Sequence, residues 1–134
     1  MFTAELAPLL SPHRILTSPE DLAVYGFDGT AALSGDATCV VLPETVEEIA
    51  AIVRFAAARK IPIVSRGSGT GLSGGSIPVP GGIVLCLVRM DRILELDEKN
   101  LTLFAEAGAD ILYTINFADF RHLSREGDPE VRCP

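Results

Sequence analysis

Tryptophan is absent, aromatic residues make up only 6% of the 134 positions, and basic residues are outnumbered 18 to 11, leaving a formal net charge of −7. Each shortage excludes something. A chain this poor in Lys and Arg lacks the basic surface that binding to a phosphate backbone needs, so nucleic acid is excluded as a partner. Three cysteines, an odd number without metal-ligand spacing, form neither a disulfide framework nor a zinc site. Cys39 and Cys86 sit inside apolar, strand-like runs and read as small buried side chains, while Cys133 lies beside the last residue. No apolar run is long enough to span a bilayer, and no charged-then-apolar leader stands before the first elements, which makes the cytoplasm the expected location. His13 and His122, the two histidines, stand outside any cluster of metal-binding residues and read as structural or solvated.

What the chain does have is one concentrated stretch of glycine, serine and threonine. Ser65-Arg66-Gly67-Ser68-Gly69-Thr70-Gly71-Leu72-Ser73-Gly74-Gly75-Ser76 follows directly on the apolar run Ile61-Pro62-Ile63-Val64. Glycine lacks a Cβ and tolerates positive φ, so successive backbone N–H groups can turn around an anion, with Ser and Thr hydroxyls as further donors. Arg66 places one charge at the entrance. A flexible linker is the bland alternative for such a composition, but apolar strand-like runs border the segment on both sides and leave no room for a spacer.

Spacing separates the phosphate-binding designs. Gly69-Thr70-Gly71-Leu72-Ser73-Gly74 matches G-x-G-x-x-G, with Asp91 about where a ribose-binding acid would fall. A Rossmann loop must open a helix, however, and this one runs into Ile77-Pro78-Val79-Pro80-Gly81-Gly82 and the apolar run Ile83–Leu87. No Lys-Ser/Thr pair follows the glycines, which excludes a Walker A loop. The remaining design is a strand–loop–strand cradle that works by backbone donors rather than by a helix dipole.

The surrounding pattern predicts an α+β fold, a small mixed sheet with covering helices. Met1–Pro12 reads as a short helix and turn, and Ser18-Pro19 as the N-cap and first position of a second helix. Thr38–Leu42 reads as a buried strand. Thr45 and Glu48 form a capping box, and Val46, Ile49, Ile52, Val53, Ala56 and Ala57 recur at helical spacing as far as Lys60. Gly82–Met90 reads as a strand, and Ile93–Leu96 pairs with Leu101–Ala107 across the polar turn at Asp97–Asn100, a hairpin expected to close the small sheet. Ala109–Leu123 reads as a helix and Ser124–Pro134 as a polar tail. Adjacent Asp91 and Arg92 read as a structural or solvated pair rather than an acid and base in a pocket.

These residues resemble a known family. Val40–Asn100, most closely Ser65–Asp97, is similar to the N-terminal FAD-binding subdomain of the vanillyl-alcohol-oxidase-like flavoproteins, whose domains are also called PCMH-type. Within that family the glycolate oxidase GlcD and D-lactate dehydrogenase branch is the most similar. Leu16–Leu22 and Tyr25-Gly26-Phe27-Asp28 resemble its lead-in.

The resemblance implies a partial FAD-binding subdomain over residues 37–123, preceded by a helical lead-in at 1–36 and followed by the tail at 124–134. It implies that Arg66, Gly67, Ser68, Gly69, Thr70, Gly71, Leu72, Ser73, Gly74 and Gly75 wrap the FAD pyrophosphate, with Pro43 at a corner near the adenine side. Thr70 stands where covalent relatives carry a histidine, which implies non-covalent FAD. After Gly108 the likeness fades, and nothing here matches the cap region that holds substrate and metal in relatives. No catalytic residue or metal ligand is therefore assigned to this chain.

The expected function is a truncated piece of an FAD-dependent 2-hydroxy-acid oxidoreductase, of the glycolate or D-lactate type, that supplies the pyrophosphate loop. The alternatives are a module completed by a second chain carrying the rest of the FAD and cap domains, or a product without function. If the loop recognises FAD through its backbone, Gly69→Val abolishes FAD binding, whereas Ser68→Ala loses one hydrogen bond, about 1 kcal/mol. Equal effects of the two changes in a binding titration would exclude backbone recognition.

Overall fold

Strands buried on both faces are apolar at every position, and two segments of the chain meet that demand. They are Cys39–Val41 (β2) and Ile83–Cys86 (β4), in which every side chain is buried. The computed structural model describes residues 2–30, 32–97, 99–100 and 102–109, which fall into two compact units, the described residues up to Arg89 and those from Met90 on.

In the first unit β2 and β4 are the inner strands of a four-stranded sheet, between Ile15–Leu16 (β1) and Ile63–Arg66 (β3), in the order β1-β2-β4-β3. β2, β4 and β3 run parallel, with Val40 beside Val84 and Val64 beside Val84, while β1 runs antiparallel to β2. The expected mixed sheet is therefore present. Alternation divides its side chains between two cores. Cys39, Val41, Ile83 and Leu85 face Ile52 and Ala56 of the long helix Val46–Arg59 (α2), together with Leu6 and Leu10 from the N-terminal segment. Val40, Leu42, Val84 and Cys86 face the other way, toward Leu16 and toward Leu22 and Tyr25 of the helix Pro19–Tyr25 (α1).

The helix starts follow from side-chain caps. Ser18 Oγ accepts the Asp21 N–H at 3.1 Å, with Pro19 in the first turn of α1, and Thr45 Oγ1 accepts the Glu48 N–H at 3.2 Å. The N-terminal segment is shorter and tighter than expected, a 3-10 turn over Phe2–Leu6 and another over Pro12–Arg14.

One expectation for α2 needs correction. Val46 and Val53 are 66% and 43% exposed and Ala57 is exposed too, because the inward stripe consists of Ile49, Ile52, Phe55 and Ala56. The reciprocal half of the capping box is shared between two donors. Glu48 Oε2 accepts the N–H of Glu44 at 2.8 Å, the Thr45 N–H acts on the same carboxylate more weakly, and Arg14 reaches it as a fork, Nη1 at 2.7 Å and Nη2 at 2.5 Å. Arg14 is 7% exposed and also reaches the Leu42 carbonyl at 3.4 Å. A buried guanidinium thus fastens β1 to the start of α2.

β4 is shorter than the run Gly82–Met90 suggests, because pairing with β2 and β3 ends at Cys86. In the second unit Ile93–Asp97 (β5) and Thr102–Ala105 (β6) form the expected antiparallel hairpin, with Asp97 Oδ1 accepting the Lys99 and Asn100 N–H groups at 3.0 Å. This hairpin is a two-stranded sheet of its own and does not close the first sheet, since β5 and β6 pair with each other. Arg92 Nη2 lies 2.6 Å from Glu106, the residue that directly follows β6. The expected helix beyond Ala109 and the tail, with His122 and Cys133, lie outside the described residues. Among the described residues no helix is long and apolar enough to cross a membrane.

The Arg14 fork, opposed by burial, holds the Glu48 carboxyl below the ordinary glutamate range, with the Glu44 N–H acting the same way as the fork. A carboxylate whose folded-state value is depressed stabilises fully above its unfolded value, about 4.3, and loses that contribution as pH falls through the lowered value. Glu48→Gln is expected to lower stability at pH 7 by about 2–3 kcal/mol, since it leaves Arg14 buried without its charge partner, and to flatten the acid limb of stability below about pH 4. Urea unfolding of the two proteins across that range measures both effects.

Candidate functional site

β3 and β4 are parallel neighbours, so the chain leaving Arg66 must return the length of the sheet before it can enter β4 at Ile83. A helix usually makes that return. Residues 67–82 make it without one, because Pro78 and Pro80 forbid helix and the glycines before them favour turns. The glycine-rich segment is therefore the crossover itself. It emerges at the carboxyl edge of the parallel strands, the edge at which open α/β sheets take ligands. Pro43, fully buried, leaves the same edge from β2, two strand spacings of about 4.8 Å away.

A crossover without a helix has no ladder of its own, and its carbonyls find donors elsewhere. Arg66 is 8% exposed, and its guanidinium lies beneath the loop. Nη2 donates to the Ser68 carbonyl at 3.2 Å, while Nη1 donates to the carbonyls of Tyr25 at 2.9 Å and Phe27 at 3.0 Å. Only Nε is left without a partner. The Gly29 N–H donates to the Gly71 carbonyl at 2.9 Å, and the Cys86 thiol approaches the Gly67 carbonyl at 3.7 Å.

A trans peptide points its C=O and N–H in opposite directions. Tying down the carbonyls of Gly67, Ser68 and Gly71 therefore turns the N–H groups of Ser68, Gly69 and Leu72 away from the groups that hold them. Among the described residues no protein acceptor takes the N–H of any residue from 68 to 75. The carbonyls of Gly67, Ser68, Gly71 and Gly74 are used internally, and the loop's N–H donors are left over.

Gly69 shows how tight the arrangement is. Its φ is +81°, and a Cβ there would overlap Arg66 Nη2 and come within 2.5 Å of Cζ, so only glycine fits above the guanidinium. Gly67 and Gly71 are the opposite case, since a Cβ on either would meet nothing within 4 Å. Space inside the protein does not require glycine at those two positions. Both positions leave the backbone open to a ligand, and with the unpaired N–H groups that openness is compatible with a pyrophosphate. Thr70 Oγ1 lies 3.4 Å from Ser68 Oγ, while Leu72 at the crest is 79% exposed.

The segment Gly26–Thr30, which sequence reasoning had placed only in the lead-in, forms a second wall. A Cβ at Gly29 would stand 2.9 Å from the carbonyl oxygens of Thr70 and Gly71, so the two backbones approach as only glycine allows. Asp28 Oδ1 accepts the Thr30 N–H at 2.8 Å and Oδ2 the Ser76 N–H at 3.5 Å. The Thr30 N–H, opposed by burial, holds the Asp28 carboxyl below the usual carboxylate range, and Ser76 and the field of Arg66 act with it. The available sequence signal was the Asp28-Gly29 pair, a turn dipeptide. Burial pushes the Cys39 thiol up to about 11 and raises that of Cys86, so both stay neutral.

Comparison with known proteins agrees with this geometry. A family model described as FAD binding domain matches residues 37–116. The chain is 34% identical over 125 residues to glycolate oxidase subunit GlcD of Bacillus subtilis, covering 93% of this chain and 27% of that protein. It is 41% identical over 102 residues to D-lactate dehydrogenase of Archaeoglobus fulgidus, covering 73% and 23%. The solved structure of p-cresol methylhydroxylase with substrate bound superposes with a TM-score of 0.78 at 21% identity, covering 90% of this chain and 24% of that one. The chain thus spans about a quarter of the length of the relatives it matches.

If Gly69 is fixed by its conformation and by Arg66, whereas Gly67 is fixed by neither, the two should separate in stability. Gly69→Ala is expected to cost about 3 kcal/mol, from left-handed strain plus displacement of the guanidinium, and Gly67→Ala less than about 1 kcal/mol. Chemical denaturation of both variants without ligand checks this, and equal losses would contradict it.

Proposed function

The chain belongs to the FAD binding domain family of PCMH-type flavoproteins, and we propose on that footing that residues 67–75 hold the FAD pyrophosphate for a 2-hydroxy-acid oxidoreductase of the glycolate or D-lactate type. The observation that carries this reading is the asymmetry of the loop, in which the carbonyls of Gly67, Ser68, Gly71 and Gly74 are held by protein donors while, among the described residues, the N–H groups of 68–75 are taken by no protein acceptor. Backbone donors of this kind bind an anion without a helix N-terminus. Ser68 and Thr70 add hydroxyl donors beside them, and the Pro43 corner at the end of β2 is proposed to border the adenine side.

The proposed binding is non-covalent, because Thr70 offers a hydroxyl and no ring nitrogen through which a flavin could be attached. When bound, FAD supplies an acceptor for the hydride of a 2-hydroxy acid. The residues of this chain orient the cofactor and neutralise part of its charge. The groups that take the substrate are proposed to lie outside these 134 residues, in more of the same polypeptide or in a second chain. The cytoplasm is the proposed compartment.

Titration of the 134-residue chain with FAD, followed by flavin fluorescence and by the melting temperature, is expected to show saturable quenching and a rise in melting temperature. Gly67→Ala and Gly71→Ala are expected to melt like the parent without FAD yet to bind it at least about tenfold more weakly, because their methyl groups occupy the space left for the ligand. A folded chain that does not bind FAD, or alanine variants that bind it undiminished, would refute the reading.

A further inference from the structure

The most heavily engaged side chain near the loop is not positioned as a ligand would be. Arg66 is the one charge in the loop sequence and is the obvious candidate to meet a phosphate, but it is 8% exposed and faces the protein. Both of its terminal nitrogens already donate to carbonyl oxygens, of Tyr25, Phe27 and Ser68, and Cζ stands 5.3 Å from the centre of the Tyr25 ring. The three carbonyls come from two segments far apart in sequence, the end of α1 and the start of the crossover. A third contact joins the same segments farther along, Gly29 N–H to Gly71 O at 2.9 Å, and a fourth is Ser76 N–H to Asp28.

We infer that Arg66 is a positioning residue that does not touch the pyrophosphate: its guanidinium fork clamps Tyr25–Thr30 to Gly67–Gly71 and, by holding the Ser68 carbonyl inward, aims the loop's N–H groups outward. The inference rests on the reading of this loop as an FAD pyrophosphate site. The chemistry requires a fork. Two nitrogens fixed in one plane reach carbonyls on two segments at once, which a single ammonium on a flexible stem cannot reproduce. Among the described residues no carboxylate lies within salt-bridge distance of Arg66, so its charge also adds to the potential beneath the loop. Charge and fork are separable by experiment, because lysine keeps the first and loses the second.

The test compares the full chain with Arg66→Lys and Arg66→Met in FAD titrations, and follows amide hydrogen exchange at Gly29 without FAD. A clamp predicts that both variants lose FAD affinity at least about tenfold, to a similar extent, and that the Gly29 amide exchanges at least about tenfold faster in Arg66→Lys. Lysine retaining affinity within about threefold of the parent while methionine loses it would overturn the inference, since charge alone would then suffice. Gly29→Ala covers the case in which Arg66→Lys does not fold. Its methyl group presses on the Thr70 and Gly71 carbonyls and parts the two segments with Arg66 intact. Undiminished FAD affinity in that variant would equally overturn the clamp.

Failure of the parent chain to bind FAD would remove the proposed function, and the exchange measurement would then decide the clamp alone. Faster exchange at Gly29 in Arg66→Lys upholds it, and unchanged exchange overturns it.

Discussion

Parallel pairing of β3 with β4 is the constraint from which the site follows. Two neighbouring strands that point the same way oblige the intervening chain to cross back over the sheet, and here sixteen residues, 67–82, do so without forming a helix. A helical crossover satisfies its own peptide groups and presents only its N-terminus to a ligand. A crossover of turns must borrow partners, and this one borrows donors, from Arg66, Gly29 and Cys86. Donors lent to carbonyls leave amides unmatched, and unmatched amides at the carboxyl edge of a sheet suit an anion. The proposed binding chemistry is therefore a by-product of how the crossover is held.

That arrangement also explains how an acidic chain serves an anionic group. Net charge governs long-range behaviour, whereas recognition of a phosphate depends on the few groups within reach of it. At the carboxyl edge the arginines are treated differently. Arg14 is matched by Glu48 and Glu44, and Arg89 by Glu44, so that corner is close to neutral. Arg66 donates to carbonyls and, among the described residues, makes no ion pair, and although its field reaches the Asp28 carboxylate its charge stays beneath the loop.

Much of this was legible in the chain itself. The strands β2 and β4 announce themselves as unbroken apolar runs, α1 and α2 by their Ser18 and Thr45 caps, and the loop by its glycines, two prolines and missing helix. These signals are local, because each depends on residues that are neighbours in sequence. The features that escaped notice are the ones made by distant residues. Arg14 lies 34 positions from Glu48, and Arg66 lies 41 from the carbonyl of Tyr25. No periodicity records such a pairing. Val46 and Val53 misled for a related reason: their spacing is helical, but which residues form the inner stripe is decided by where the sheet lies. The hairpin was read correctly in its pairing and wrongly in its attachment, since a turn dictates which strands meet and is silent on which sheet they join.

The strand order has a consequence for how the molecule comes into being. β2 and β3 do not touch each other; both are hydrogen-bonded to β4, the last strand of the sheet in sequence. Until residues 83–86 are available, the earlier strands have no parallel partner, and α2 has only half a surface on which to rest. Insertion of β4 completes the core and, in the same event, draws residues 67–82 into a closed crossover. Nucleation thus waits on contacts of long sequence separation, which places this unit among slow-folding topologies. It also means that the loop and the core have no separate histories: a chain that has assembled its sheet has already shaped its cradle.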